Sequence, residues 1–189
     1  LKVTAIEPFN EGQAREQVSN DMKTADFIYK GNINIIHLFT KHLASLPYIK
    51  EAVIFGEGRP YISAFVNIDM GNVGNWAEER MIPYTTYTDL SQQPRVEELI
   101  FGEIREVNER LPDYMKIRKF LLLYKLLDAD DEELTRTGKV RRRFVYGLYL
   151  NLIEAMYRNL QSLEVKSQVR YRDGQVGKIE TTVKIHEVP

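Results

Sequence analysis

The sequence predicts an α+β domain: a small mixed or antiparallel sheet with helices packed on it, plus a C-terminal β-hairpin. Three observations carry this. Apolar residues alternate at a spacing of two over Ile62–Ile68 and again on both sides of Asp173-Gly174. They recur at three and four between residues 94 and 111 and between 142 and 160, the helical period. The segments follow the order β-β-α-α-β-α-β-β, which does not have the strict strand–helix alternation of a wound parallel sheet.

The elements can be justified in turn. Residues 1–25 are polar and weakly patterned and are expected to be a lead-in or linker remnant. The domain proper is expected over 26–162, and 163–189 is a hairpin extension of it. Ile35, Leu38, Phe39, His42 and Leu43 give a helix within 33–46, which Pro47 ends. Ala52–Phe55 and Pro60–Ile68 are strands joined by the turn-like Gly56–Arg59, with Ile62, Ala64, Val66 and Ile68 on one face and Ser63 and Asn67 on the other. Val73, Trp76 and Ala77 mark a short helix ending near Met81, and Tyr84–Gln93 is expected to be a polar, aromatic loop. Pro94 suits the first turn of a helix carrying Val96, Leu99, Ile100, Ile104, Val107 and Leu111. Lys116–Tyr124 is an apolar strand and Asp128–Lys139 a polar loop. Arg142–Leu160 is expected to be one long helix with Val145, Leu148, Leu152, Met156 and Leu160 on one side. Asp173-Gly174 between alternating runs signals a hairpin, with Val169 and Tyr171 before it and Ile179, Thr181, Val183 and Ile185 after it.

Composition removes several classes of chemistry. There are 26 basic and 27 acidic residues among 189, a net charge of −1, so no global field draws the chain to nucleic acid or anionic membrane. The basic triplet Arg141–Arg143 lies beside an acidic run and has no interleaved aromatics, which argues against a nucleic-acid partner. The absence of cysteine excludes disulfides, thiolate metal sites and cysteine nucleophiles. The three histidines, His37, His42 and His186, are scattered, and no metal site is expected. The longest apolar run, Phe144–Leu150, is seven residues, too short for a transmembrane segment. A chain opening Leu-Lys-Val-Thr, without a signal-peptide pattern, is expected to be a fragment or excised domain.

The most unusual stretch runs from Asp128 to Arg143. Five of the six residues 128–133 are acidic, and five of the eight residues 136–143 are basic. The plain reading is a solvated loop whose charges compensate each other. A phosphate-binding P-loop fails because Glu133 and Val140 stand where Gly and Ser or Thr are needed. An EF-hand from Asp128 fails because Glu133 and Lys139 replace its Gly and Glu. What survives is Lys139 on a Gly138-hinged loop between a strand and a helix, an ammonium suited to oxygens that gain charge in a transition state. No acid, base or nucleophile accompanies it, so its pocket is expected to belong to another domain. Arg59, beside Gly58 and Pro60, is either a contact to such a domain or a hairpin-turn arginine.

Ser45–Gly56 with Gly58-Arg59-Pro60-Tyr61, Asn72-Val73 with Trp76-Ala77, Tyr84–Ser91, Leu127–Asp131 and Tyr171–Gly174 together resemble the C-terminal domain of AMP-forming acyl-CoA synthetases. Leu134–Arg142 resembles that family's T-x-[ST]-G-K-x-x-R motif, and the nearest branch is the long-chain fatty acid–CoA ligases. The resemblance covers about residues 44–185. It implies a mobile domain that closes in two orientations over a large N-terminal adenylate-forming domain. It also implies that Lys139 is the adenylation lysine, supported by Thr137 and Gly138. Gap-free extension back from Pro47 places Asn20 at the hinge, where the family carries Asp, and retains Gly31 in the loop that would face CoA. The implied reaction converts fatty acid, ATP and CoA to acyl-CoA, AMP and pyrophosphate. ATP, Mg2+ and CoA would be bound through the N-terminal domain, so the chain alone is expected to bind none of them and to catalyse nothing. The expected location is cytoplasmic, or peripheral at the membrane in the intact enzyme. The rival reading is a non-catalytic protein-interaction domain derived from the same fold.

Overall fold

A computed structural model describes Leu43, residues 46–170 and residues 176–189. Strands β1 (Ile49–Phe55) and β2 (Ile62–Ile68) form the expected antiparallel hairpin, with Gly58 at φ +66 in its turn. β3 (Ile117–Leu122) lies parallel to β2, and the short β6 (His186–Glu187) lies antiparallel to β3. The sheet order is therefore β1-β2-β3-β6, a mixed sheet. Strands β4 (Ser162–Arg170) and β5 (Val176–Lys184) form a separate antiparallel pair.

All seven residues of β2 are buried, because both faces of the sheet are covered. On one face Ile62, Ala64, Val66 and Ile68 meet helices α1 (Met70–Glu78), α2 (Tyr87–Ser91) and α3 (Pro94–Glu109) through Val73, Ala77, Leu90, Val96, Ile100 and Ile104. On the other, Phe65 joins Val53, Phe55, Leu121 and Leu123 beneath helices α4 (Arg142–Leu148) and α5 (Leu150–Tyr157) and the β4–β5 pair. The polar residues of β2 on this second face are satisfied rather than solvated. Ser63 Oγ donates to Tyr157 Oη at 2.8 Å, and Asn67 Nδ2 donates to the Lys125 carbonyl at 2.8 Å.

Several elements differ from the sequence expectation. Tyr84–Gln93 is not all loop. Thr86 Oγ1 accepts from the Asp89 amide at 3.1 Å while Asp89 accepts from the Thr86 amide at 3.1 Å, a capping box that starts α2. The single helix expected over 142–160 is two helices broken at Tyr149, whose φ of −105° and ψ of 22° leave the helical well. The break shifts the phase of the apolar stripe, so Leu148 is 53% exposed instead of facing the core. Leu160 lies past the end of α5 and is likewise exposed. The C-terminal alternation does not continue through Ile185: β5 ends at Lys184, and the chain then crosses to the main sheet as β6. Of the helix expected over 33–46, the described residues are Leu43, which is helical and buried, and Leu46, which lies in a bend. The Asp173-Gly174 turn and the lead-in 1–25 lie outside the described residues, as do His37 and His42.

Candidate functional site: a lysine-bearing hairpin on a buried carboxylate

The loop between β3 and α4 folds back on itself. Leu134 and Val140 form an antiparallel bridge, and the Thr135 amide donates to the Lys139 carbonyl at 2.8 Å. Between them Arg136, Thr137 and Gly138 make a three-residue tip, closed by the Gly138 amide donating to the Thr135 carbonyl at 2.8 Å. Gly138 sits at φ +76, the left-handed position that such hairpins place just before the returning strand. A Cβ there would meet no atom within 4 Å, so the requirement for glycine comes from the backbone alone. Thr135 Oγ1 accepts from the Lys139 amide at 3.0 Å and lies 3.0 Å from Thr137 Oγ1. The two hydroxyls thus finish the turn that the glycine permits. Thr137, Gly138 and Lys139 lie at the closed end of the hairpin.

Residues 136–139 are exposed. The Lys139 ammonium makes no hydrogen bond or ion pair with any described residue. Its neighbour Arg141 is engaged: its guanidinium donates to the Glu132 carbonyl at 3.0 Å and lies 5.1 Å from the Phe144 ring centroid.

The acidic run is solvent-exposed at Asp128, Asp130 and Glu132, with Arg141 paired to Glu132, as the composition suggests, but one of its members departs from that reading. Glu133 is fully buried. Its carboxylate accepts from Lys125 Nζ at 2.7 Å, from Tyr149 Oη at 2.5 Å and from the Asp128 amide at 2.9 Å. Lys125 also donates to Asp131 at 2.7 Å. Burial opposes the charge on Lys125, but the bonds to Asp131 and Glu133 outweigh it and hold the pKa above the ordinary lysine value. Burial, reinforced by the charge of Glu133, pushes the Tyr149 phenol far above its ordinary value, so it acts as a fixed donor. The main chain of Glu133 ties both legs: its amide donates to the Asp128 carbonyl at 3.0 Å and its carbonyl accepts from Arg141 at 2.8 Å. Sequence reasoning missed this residue because one acid in a run of five carries no local sign of burial. The helix break at Tyr149, which turns the phenol inward, was equally invisible.

Arg59 is used within the domain. Its guanidinium lies 4.8 Å from the Tyr157 ring centroid, donates to Tyr146 Oη at 3.2 Å and pairs with Glu154. This fastens the β1–β2 turn to α4 and α5 and corresponds to the hairpin-turn reading. Trp76 packs half-buried against the core, with Arg80 over its ring at 4.6 Å. His186 stacks on Phe120 at 4.8 Å. Asn20 and Gly31 lie outside the described residues. Among the described residues no cluster of three or more His, Asp or Glu could hold a metal ion, and no helix is long and apolar enough to cross a membrane.

A mixed sheet covered on both faces, with a Gly-hinged lysine hairpin between its third strand and the next helix, is accompanied by a direct family match. Residues 38–161 fit the family described as the AMP-binding enzyme C-terminal domain, and the chain belongs to that family. Its relatives include the long-chain-fatty-acid–CoA ligases FadD15 of Mycobacterium tuberculosis and of Mycobacterium bovis, each 30% identical over 116 residues, or 61% of this chain. The aligned part is 19% of each ligase, so the chain spans about a fifth of the length of the curated relatives it matches. Among solved structures, the A-PCP didomain of carboxylic acid reductase from Segniliparus rugosus in complex with AMP aligns with 65% of this chain and 16% of its own. The identity is 16% and the TM-score 0.48.

Proposed function

We propose that this chain is the mobile C-terminal domain of an AMP-forming long-chain fatty acid–CoA ligase, and that Lys139 is its adenylation lysine. The observation that carries the reading is the exposed ammonium of Lys139, without a partner among the described residues, at the tip of a hydrogen-bonded hairpin. It lies within the stretch that fits the family. A charge held at such a tip can enter a neighbouring domain's site already oriented. On this reading the N-terminal domain binds fatty acid, ATP and CoA, and Lys139 donates to the fatty carboxylate and the α-phosphate as pyrophosphate leaves. Bound Mg2+ would offset phosphate charge. The described residues offer no cluster for it, and it would be held in the N-terminal domain. Asn20 would lie at the hinge and Gly31 in the loop that faces CoA after rotation. The protein would act in the cytoplasm or at a membrane surface.

The test is Lys139→Ala in the full-length protein carrying this domain, with the two half-reactions measured separately. Adenylation should slow by about 10²–10³-fold, the scale for losing one preorganised charge-stabilising donor. Thioester formation from preformed acyl-adenylate and CoA should be largely spared. Equal loss in both would make Lys139 structural. A full-length protein that releases no AMP from ATP, palmitate and CoA would instead favour a non-catalytic interaction domain.

A further inference from the structure

We infer that Glu133 positions Lys139 for adenylation, acting as the fixed base from which the lysine hairpin projects; the inference rests on the adenylation reading of Lys139. The tip has little of its own to hold it in place. Residues 136–139 are exposed, and their hydrogen bonds with described residues run within the hairpin. Placement of the tip therefore depends on its two legs, and both are gripped at residue 133. The outgoing leg is held through the Glu133 amide and carboxylate on Asp128, and the returning leg through the Glu133 carbonyl on Arg141.

The side chain ties this grip to the body of the domain from two directions. Lys125 follows β3, and Tyr149 sits at the break between α4 and α5. A fully buried carboxylate is stable only while its partners remain in place, so the network tolerates few intermediate arrangements. That rigidity passes to the hairpin through the Leu134–Val140 bridge and the Thr135–Lys139 pair. Replacing Glu133 by Gln keeps the shape and removes the charge that balances Lys125. The legs should loosen, and Lys139 would reach its target from a wider range of positions.

A double-mutant cycle in the full-length protein tests this, with adenylation and thioester formation measured separately. Glu133→Gln alone should lower the adenylation kcat about tenfold with little change in KM, since a 1 Å misplacement can cost about 100-fold. In the Lys139→Ala background the same substitution should have no further effect on adenylation, because Glu133 acts only through the lysine. An unchanged adenylation rate in Glu133→Gln, or the same fold loss in both backgrounds, would overturn the inference while leaving Lys139 its role. A Lys139→Ala protein with unimpaired adenylation would overturn the underlying reading instead. Should Glu133→Gln fail to fold, Tyr149→Phe removes one of the three donors. Its smaller loss must likewise vanish without Lys139, and persistence of that loss would overturn the inference.

Discussion

At the scale of single residues, the shape of the lysine-bearing loop depends on backbone angles before it depends on charge. Gly138 occupies the left-handed region in open space. Gly138→Ala should therefore destabilise the closed hairpin by about 1–2 kcal/mol through the Cβ–carbonyl clash of that conformation, and Gly138→Asn by less. Amide exchange at Thr135 and Lys139, whose bonds close the hairpin, measures this directly and should quicken by roughly 5–30-fold in the alanine variant. An alanine variant with unchanged exchange would mean the turn does not constrain these amides. The glycine turn beside the lysine was legible in the sequence because Thr135–Lys139 is a contiguous, local pattern. Glu133 was not, because its importance comes from Lys125 and Tyr149, which approach it from other elements.

At the scale of elements, boundaries follow side-chain to backbone bonds as much as periodicity. The apolar stripes over 94–109 and the alternation over 62–68 were readable and produced α3 and β2. Helix α2, only five residues long, has too few turns for a stripe and exists through its cap. Its signal was Thr86 three residues before Asp89. Thr86→Ala should cost about 1 kcal/mol in urea unfolding at neutral pH. The Asp89 carboxyl is held below its usual range mainly by the Thr85 hydroxyl, with the Thr86 hydrogen bonds adding to that effect and slight burial opposing it. A carboxylate with a depressed native pKa stabilises the fold when ionised and loses that contribution as acid titrates it through the native value. Asp89→Asn should accordingly lower stability at neutral pH and matter much less below the usual carboxylate range. The opposite trend would remove the cap from the account. The break at Tyr149 escaped notice because Val145, Leu148, Leu152, Met156 and Leu160 fit one continuous helix equally well.

At the scale of the whole molecule, the C-terminal strand joins parts that no local pattern connects. β6 completes the sheet beside β3, Val188 is buried in the main core, and the Val188 amide donates to the Arg118 carbonyl at 2.8 Å. Around it, Lys184 Nζ donates to buried Glu97 of α3 at 3.0 Å, and His186 lies 4.0 Å from the same carboxylate while stacking on Phe120. Burial lowers the His186 pKa below the usual imidazole value, Glu97 pulls it back up, and Lys184 adds to the lowering. The neutral ring is the native form. Its contribution is complete above the unfolded histidine pKa and is lost as pH falls toward the native one. Urea midpoints should therefore fall between pH 7.5 and 5.5, and His186→Gln should flatten that slope. A slope unchanged by the substitution would place the titration elsewhere. The fold class was legible because both periods are strong; the departure of β6 from the hairpin was not, because the pairing of Phe120 with His186 is a long-range contact.

The parallel pairing of β2 with β3 also imposes an order in time. β1 and β2 can meet by closing one short turn. β2 cannot gain β3 until residues 69–116, which carry α1, α2 and α3, have been drawn in, and the entropy of that closure is spent before the strand contacts repay it. The lysine hairpin and its buried carboxylate come after β3 in the chain and lean on it through Lys125. On this connectivity the lysine hairpin, anchored through Lys125, can settle only once β3 has joined the sheet.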